Sequence, residues 1–257
     1  MSPIASPSAS PSASAPPNAP GWHGKLPSLG DFASRRLDAS FIEPWDDWLA
    51  AGLLALREAR PEAWLAAYLG SPSWRFLLQP GVLPGAAGTQ AWAGVLMPSV
   101  DKVGRYFPLS LVQALGEGPA STQQMQSLWH WLGRVDELAR DALYDDWSAD
   151  RLEQELTGMA GPGLMPLNLP ASPWPASGAL LEVALPSGMD AATLIGIEAQ
   201  RAWALNARGR AWWYACPDEQ APRLLLSHGL PGAAALHQLL GVDVGIDAGP
   251  AAPAHDA

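Results

Sequence analysis

The chain has 257 residues, 48% of them apolar, which is enough to bury a sizeable core in one large domain or two small ones. Its formal net charge of −10 disfavours binding to nucleic acid or to an anionic membrane surface, because both depend on an excess of Lys and Arg. No apolar run reaches the roughly 20 residues that span a bilayer, and the N-terminus lacks a signal-peptide pattern, so we expect a cytoplasmic protein without membrane insertion.

The N-terminal half begins with a low-complexity segment and continues with helical patterns. Residues 1–20 are almost entirely Ser, Ala and Pro, which predicts a disordered tail, and a short strand follows at residues 22–26. One helix is predicted to open at Ser40, and a second to run from Pro61 to its stop at Gly70. The first helix buries apolar residues that recur at three- and four-residue steps, namely Phe41, Trp45, Trp48, Leu49, Leu53 and Leu56.

The central part of the chain predicts three strands. Short runs of bulky residues bounded by Pro, Ser, Asp and Gly place them at residues 74–79, 92–97 and 106–114. The last two strands form a hairpin, which is joined by a polar loop at residues 98–105. The three charged side chains of this loop fit either a solvated turn or a recognition surface.

The C-terminal half predicts further helices and strands on either side of a Gly- and Pro-rich connection at residues 158–177. A long helix at residues 122–147 and a short helix at residues 151–156 precede it. The elements expected after it are strands at 179–185, 211–215 and 223–227, and helices at 191–200 and 231–240. The single cysteine, Cys216, excludes an intramolecular disulfide and follows a strand, which predicts a buried structural thiol.

These patterns divide the chain into segments and indicate the fold class. The predicted segments are the disordered tail at 1–20, a core domain at 21–157, the connection at 158–177, a C-terminal α/β part packed on the core at 178–245, and a frayed end at 246–257. Helices and hairpin-connected strands in this order predict a mixed α/β fold, in which a largely antiparallel sheet is flanked by helices.

The short motifs do not indicate a catalytic or cofactor site. The spacing of a phosphate-binding loop fails around Gly24 and Lys25, since Leu26 follows the lysine where Ser or Thr is required. No serine has the Gly-x-Ser-x-Gly context of a hydrolase nucleophile, and no pair of histidines has metal-ligand spacing. We therefore expect no enzyme activity, no metal and no cofactor.

Three sequence blocks carry a resemblance to one protein family. They are GWHGKLPSLGDF at residues 21–32, SPSWRF at residues 71–76 and WAGVLMPSVDKVGRYFPL at residues 92–109. In this order they resemble the TagF (ImpM) family of type VI secretion-associated proteins, densely up to about residue 111 and weakly beyond it. The resemblance implies a fold similar to longin or SNARE-like domains, which mostly serve as binding platforms.

Charged residues in or next to these blocks are the candidate protein-binding residues. They are Lys25, Asp31, Arg35, Arg36, Arg75, Asp101, Lys102 and Arg105. Arginine suits interfaces in particular, because its planar guanidinium pairs with a carboxylate through two hydrogen bonds. The same charges also fit a buried structural network, in which Asp31 or Asp101 pairs with an arginine, and both interpretations remain open.

The resemblance implies a cytoplasmic, non-enzymatic, post-translational repressor of type VI secretion assembly. Members of the family act through the forkhead-associated (FHA) scaffold protein of the apparatus, so that scaffold is the expected partner. On this hypothesis residues 25–36 and 98–105 cover a scaffold surface that activation requires. The alternative is a structural accessory that docks on a membrane-complex or baseplate component without repressing assembly.

Overall fold

A computed structural model describes residues 19–164, 191–217 and 221–240. Its strands in chain order are β1 (Gly21–Gly24), β2 (Ala33–Arg35), β3 (Trp74–Leu78), β4 (Ala91–Met97), β5 (Leu109–Gly116), β6 (Arg210–Ala215) and β7 (Arg223–His228). They form one sheet in the order β2-β1-β5-β4-β3-β6-β7, and every neighbouring pair is antiparallel. The predicted antiparallel sheet is therefore confirmed.

Helices pack on both faces of this sheet. They are α1 (Ala39–Ala59), α2 (Trp64–Leu69), α3 (Thr122–Tyr144), α4 (Ala149–Gly158), α5 (Ala191–Ala207) and α6 (Ala233–Leu240), and a 3₁₀ turn occupies Gly85–Thr89. The order of helices and strands confirms the mixed α/β class. The specific likeness to longin or SNARE-like domains stays a prediction.

The face covered by α1, α2 and α6 holds a core rich in tryptophan. Trp45 of α1 is fully buried, and the centroid of its ring lies 5.1 Å from that of Phe76 and 6.3 Å from that of Trp213. Its indole N–H donates to Ser110 Oγ at 2.9 Å, so the polar atom of the ring is satisfied inside the core. Each residue predicted for the buried face of α1 is buried.

The opposite face is covered by α3 and α4. Trp22 of β1 is fully buried there, together with Leu128, Leu132 and Val135 of α3. These α3 residues recur at the three- and four-residue steps that the sequence shows, so the predicted long helix is confirmed with its C-terminal end at Tyr144.

The last two strands continue the sheet beyond β3. The backbone of β6 pairs with β3 from Tyr214 opposite Arg75 to Ala211 opposite Leu78. Trp213 consequently joins the same aromatic core as α1. The division into a core domain and a C-terminal part stays a prediction, although the sheet itself runs through both.

Three local features differ from the predicted ones. Strand β2 was not predicted, because three residues that include Ser and Arg give no strand signal. Strand β5 begins at Leu109, three residues later than predicted, because Tyr106 forms only an isolated bridge with Val100 and Pro108 has no N–H to donate. The apolar spacing of the second helix predicts a buried face of Trp64, Leu65, Tyr68 and Leu69, but Leu69 is 52% exposed.

The predicted buried thiol is wrong, because Cys216 is exposed. Strand β6 ends at Ala215, which forms its last backbone pair with Arg223, so Cys216 lies beyond the paired residues. Several further predictions lie outside the described residues, namely the strand at 179–185, most of the tail at 1–20, most of the connection at 158–177 and the frayed end at 246–257.

Candidate functional site

The two segments predicted to form a binding surface, residues 25–36 and 98–105, lie against each other at one end of the sheet. We call these two segments the basic patch. The backbone N–H of Lys102 donates to the carbonyl of Leu29 at 2.9 Å. The guanidinium of Arg105 donates to the carbonyl of Gly30 and lies 3.6 Å from the carboxylate of Asp31. Loops separated by about seventy residues are thus joined by direct contacts.

The carboxylate of Asp101 is the centre of the patch. It accepts hydrogen bonds from Lys25 Nζ at 2.6 Å, from Arg105 Nε at 2.7 Å, and from the backbone N–H groups of Val103 and Arg105. Lys25 is only 2% exposed, so its contact with Asp101 is a buried ion pair. Burial opposes ionisation of Asp101, but these hydrogen bonds outweigh it and hold the pKa of the carboxyl well below its usual range.

The loop at residues 98–105 is held firmly at both of its ends. The hydroxyl of Tyr68 accepts from the backbone N–H of Ser99 at 2.8 Å and donates to its carbonyl at 2.9 Å. Burial raises the pKa of Tyr68 well above its usual value, so this hydroxyl stays protonated. At the other end Gly104 adopts a φ of 83°, which glycine tolerates, and its N–H donates to the carbonyl of Asp101 at 3.0 Å.

Several side chains of the patch are exposed to solvent. Lys102 and Arg35 are exposed, and Val103 is 66% exposed. Phe32 is 46% exposed, although its ring contacts Phe107 edge-on with 4.9 Å between centroids. Sequence reasoning singled out the charges and missed Phe32 and Val103. They could have been identified from the sequence because both are apolar residues in otherwise polar turn segments.

The basic patch has the opposite charge balance to the rest of the chain. Its two segments contain five of the fifteen Lys and Arg residues, but only two of the twenty-five Asp and Glu residues. The chain as a whole carries a formal charge of −10. The patch is therefore a local region of positive charge on an acidic protein, which is suited to attract an acidic surface.

Arg36 belongs to the same segment, but its guanidinium makes intramolecular contacts that stabilise the fold. Its backbone has a φ of 57°, which is uncommon for a residue other than glycine. The guanidinium donates twice to the carbonyl of Pro20 and forms an ion pair with Glu153 of α4. Glu153 also accepts from the indole N–H of Trp22. Arg36 thus connects the edge of the sheet to α4.

Arg75 lies apart from the patch, between the sheet and α3. Its guanidinium contacts the carboxylate of Asp136 through Nε at 3.0 Å and through Nη2 at 2.9 Å. Asp136 is 6% exposed and also accepts from the hydroxyl of Ser73. The structure therefore separates Arg75 from the other candidate residues and places it in an intramolecular ion pair.

An apolar pocket lies on the α3 face, away from the basic patch. It has a volume of about 730 Å³ and is lined mainly by aromatic and aliphatic side chains, among them Trp129, Trp203, Trp212, Tyr214 and Leu224. None of the predicted site residues lines it.

Residues 19–164, 191–217 and 221–240 contain neither a metal-binding cluster nor a membrane-spanning helix. Within these ranges no three His, Cys, Asp or Glu side chains are grouped closely enough to hold a metal ion. Within the same ranges no helix combines the length and the apolar character needed to cross a bilayer.

Comparisons with known proteins agree with this architecture. Residues 21–159 match the family model described as the TagF N-terminal domain, type VI secretion system-associated. The crystal structure of PA0076 from Pseudomonas aeruginosa PAO1 is similar, with 32% sequence identity, a TM-score of 0.64, and coverage of 93% of this chain and 99% of that chain. No curated protein sequence matches the chain. Because the family model spans more than half of its length, the chain belongs to the TagF family of type VI secretion-associated proteins.

Proposed function

We propose that this protein is a non-enzymatic, post-translational repressor of type VI secretion assembly, and that it acts in the cytoplasm by binding the FHA scaffold protein. Its membership of the TagF family supplies the secretion context. The observation that carries the binding role is the basic patch, in which two distant segments are fixed together and present charged and apolar side chains to solvent. A rigid surface of this kind loses little conformational entropy when it binds.

Repression then follows from binding of the patch to the scaffold. While the patch covers the scaffold surface that activation requires, assembly cannot proceed. The extent of repression depends on the affinity of the complex and on the concentrations of both proteins, because binding at one site obeys mass action.

Calorimetry with the full chain and the FHA scaffold encoded with it tests the proposal directly. We expect a dissociation constant of about 1 µM or tighter, that is, at least about 8 kcal/mol of binding free energy. Overproduction of the chain in cells should lower secretion of a type VI effector. An absence of binding at the highest soluble concentrations would contradict the proposal. Capture of a membrane-complex or baseplate component, with secretion unchanged, would support the accessory role instead.

The charge-reversal variant for this test must spare the intramolecular ion pairs. Reversing Arg36 or Arg105 would place a new carboxylate against Glu153 or Asp101 and would destabilise the fold. The double variant Arg35→Glu with Lys102→Glu avoids this problem, because both side chains are exposed. We expect it to lose scaffold binding and repression together, while its thermal unfolding matches that of the unmodified protein.

A further inference from the structure

We propose that Phe32 and Val103 are the apolar contact points of the basic patch, and that they enter an apolar cleft bordered by carboxylates on the scaffold. This inference rests on the proposed function and adds the chemistry of the partner surface. It is carried by three properties of the patch, namely its exposed apolar side chains, their fixed positions and the sign of the surrounding charge.

The first property is the exposure of two apolar side chains, one in each of the two segments that form the patch. Phe32 is 46% exposed and Val103 is 66% exposed, whereas Phe107, against which Phe32 packs, is only 6% exposed. The Phe32 ring therefore packs against the core through Phe107, while the residue remains partly open to solvent. Aromatic residues in such positions are enriched at the centres of protein interfaces, where they carry much of the binding energy.

The second property is that these side chains are already positioned. The ammonium of Lys25, which is buried with Asp101, lies over the Phe32 ring at 4.3 Å from its centroid. The backbone N–H of Val103 donates to the Asp101 carboxylate at 3.0 Å. A single buried ion pair thus fixes both loops, and binding costs little additional ordering.

The third property is the charge around the two apolar side chains. Lys102 and Arg35 are exposed and Arg105 is about half exposed, while Asp31 is the exposed carboxylate of the patch. An acidic partner would be repelled by most of this chain, whose net charge is −10, and attracted at the patch. Carboxylates around the cleft of the scaffold would therefore orient the complex and speed its formation.

Binding kinetics at several salt concentrations test this inference with the full chain and the full scaffold. We expect Phe32→Ala to weaken affinity about 30-fold, mainly through faster dissociation, as for a residue at the centre of an interface. We expect Lys102→Glu to slow association by about tenfold at low salt and to reduce its dependence on salt. Leu54→Ala, at a residue 57% exposed on α1, and Arg134→Glu, at an exposed position on α3, are the matched controls and should bind as the unmodified protein does.

The possible outcomes separate this inference from the proposed function. If the unmodified protein binds the scaffold and both patch variants bind equally well, this inference is overturned together with the patch as the contact surface, while scaffold binding itself stands. If the unmodified protein does not bind at all, both are overturned. Val103→Ser serves as a second variant because its side chain is not part of the core and the change keeps the charge of the patch, so a loss of binding with unchanged thermal unfolding supports the inference even if Phe32→Ala is unstable.

Discussion

Two lysines of the basic patch occupy opposite environments. Lys25 is 2% exposed and paired with the buried carboxylate of Asp101, whereas Lys102 is exposed and donates to Leu29 through its backbone N–H. The same residue type therefore stabilises the fold at one position and is available to a partner at the other. Substitution by methionine, which is similar in length and uncharged, separates these roles.

We expect Lys25→Met to lower the free energy of unfolding by about 1.5–3 kcal/mol, the usual range for a hydrogen bond to a charged group. The loss stays below that of a fully broken buried pair, because Asp101 keeps its contacts with Arg105 and Val103. Lys102→Met should change the free energy by no more than about 0.5 kcal/mol. Urea unfolding of the two variants measures both changes in free energy. Equal destabilisation would refute the structural role of Lys25 and the surface role of Lys102.

The depressed pKa of Asp101 predicts how stability depends on pH. In the unfolded chain this carboxyl titrates near its usual value of about 4. Because its pKa is lower in the folded state, its contribution to stability is complete above about pH 4 and is lost as the pH falls further. The free energy of unfolding of the unmodified protein should therefore exceed that of the Asp101→Asn variant. When both are measured from pH 7 to pH 3, the difference should shrink below about pH 4. A margin that stays constant over this range would contradict the prediction.

At the scale of elements, the contact between α1 and α6 depends on a glycine. Gly52 is buried in α1, and a Cβ atom there would lie 1.9 Å from Cδ2 and 2.5 Å from Cγ of the fully buried Leu236. The two helices can approach this closely only because position 52 has no side chain.

The replacement Gly52→Ala should therefore lower stability by about 1–3 kcal/mol through overpacking. This cost outweighs the gain of up to about 1 kcal/mol that alanine brings to a helix interior. Gly196→Ala in α5 is the control, because among the described residues a Cβ at that position meets nothing within 4 Å and the helix-forming gain remains. The unfolding temperatures of the two variants should shift in opposite directions. A higher unfolding temperature for Gly52→Ala would contradict the close contact between α1 and α6 at this position.

The elements also show which features could be predicted from sequence. The buried face of α1 was predicted because apolar periodicity reports burial directly. The meeting of the two patch segments was proposed from the family resemblance, whereas local patterns alone do not encode contacts between distant loops. The separate roles of Lys25, Arg36 and Arg75 could not be predicted, since burial and ion-pair partners arise only when strands and helices pack. The isolated apolar residue Phe32 gave no periodic signal.

At the scale of the whole molecule, the C-terminal elements complete the core built by the earlier ones. The indole N–H of Trp74 donates to the carbonyl of Leu239 in α6 at 2.7 Å, and Ser71 donates to the same carbonyl. Trp213 of β6 packs against Trp45 and Phe76. Removing these elements would uncover strand β3 and leave a buried indole N–H without its acceptor.

A chain that ends at residue 159, where the family model ends, should therefore lack the cooperative thermal transition of the full chain and should aggregate. A chain lacking only residues 1–18 keeps all of these contacts and is the matched control. Circular dichroism and light scattering during heating distinguish the two, and a monomeric, cooperatively unfolding fragment would contradict the expectation. Point variants are consequently better than a C-terminal deletion for testing the accessory role.

The loop at residues 98–105 has a consequence for divergence between related secretion systems. Ser99, Asp101 and Gly104 carry the bonds that hold the loop, whereas Lys102 and Val103 are held through their backbone N–H groups. Substitutions at positions 102 and 103 should therefore have little effect on the stability of the fold. On the proposed function, related secretion systems can acquire distinct partners through these two side chains, while the bonds that hold the loop in place stay unchanged.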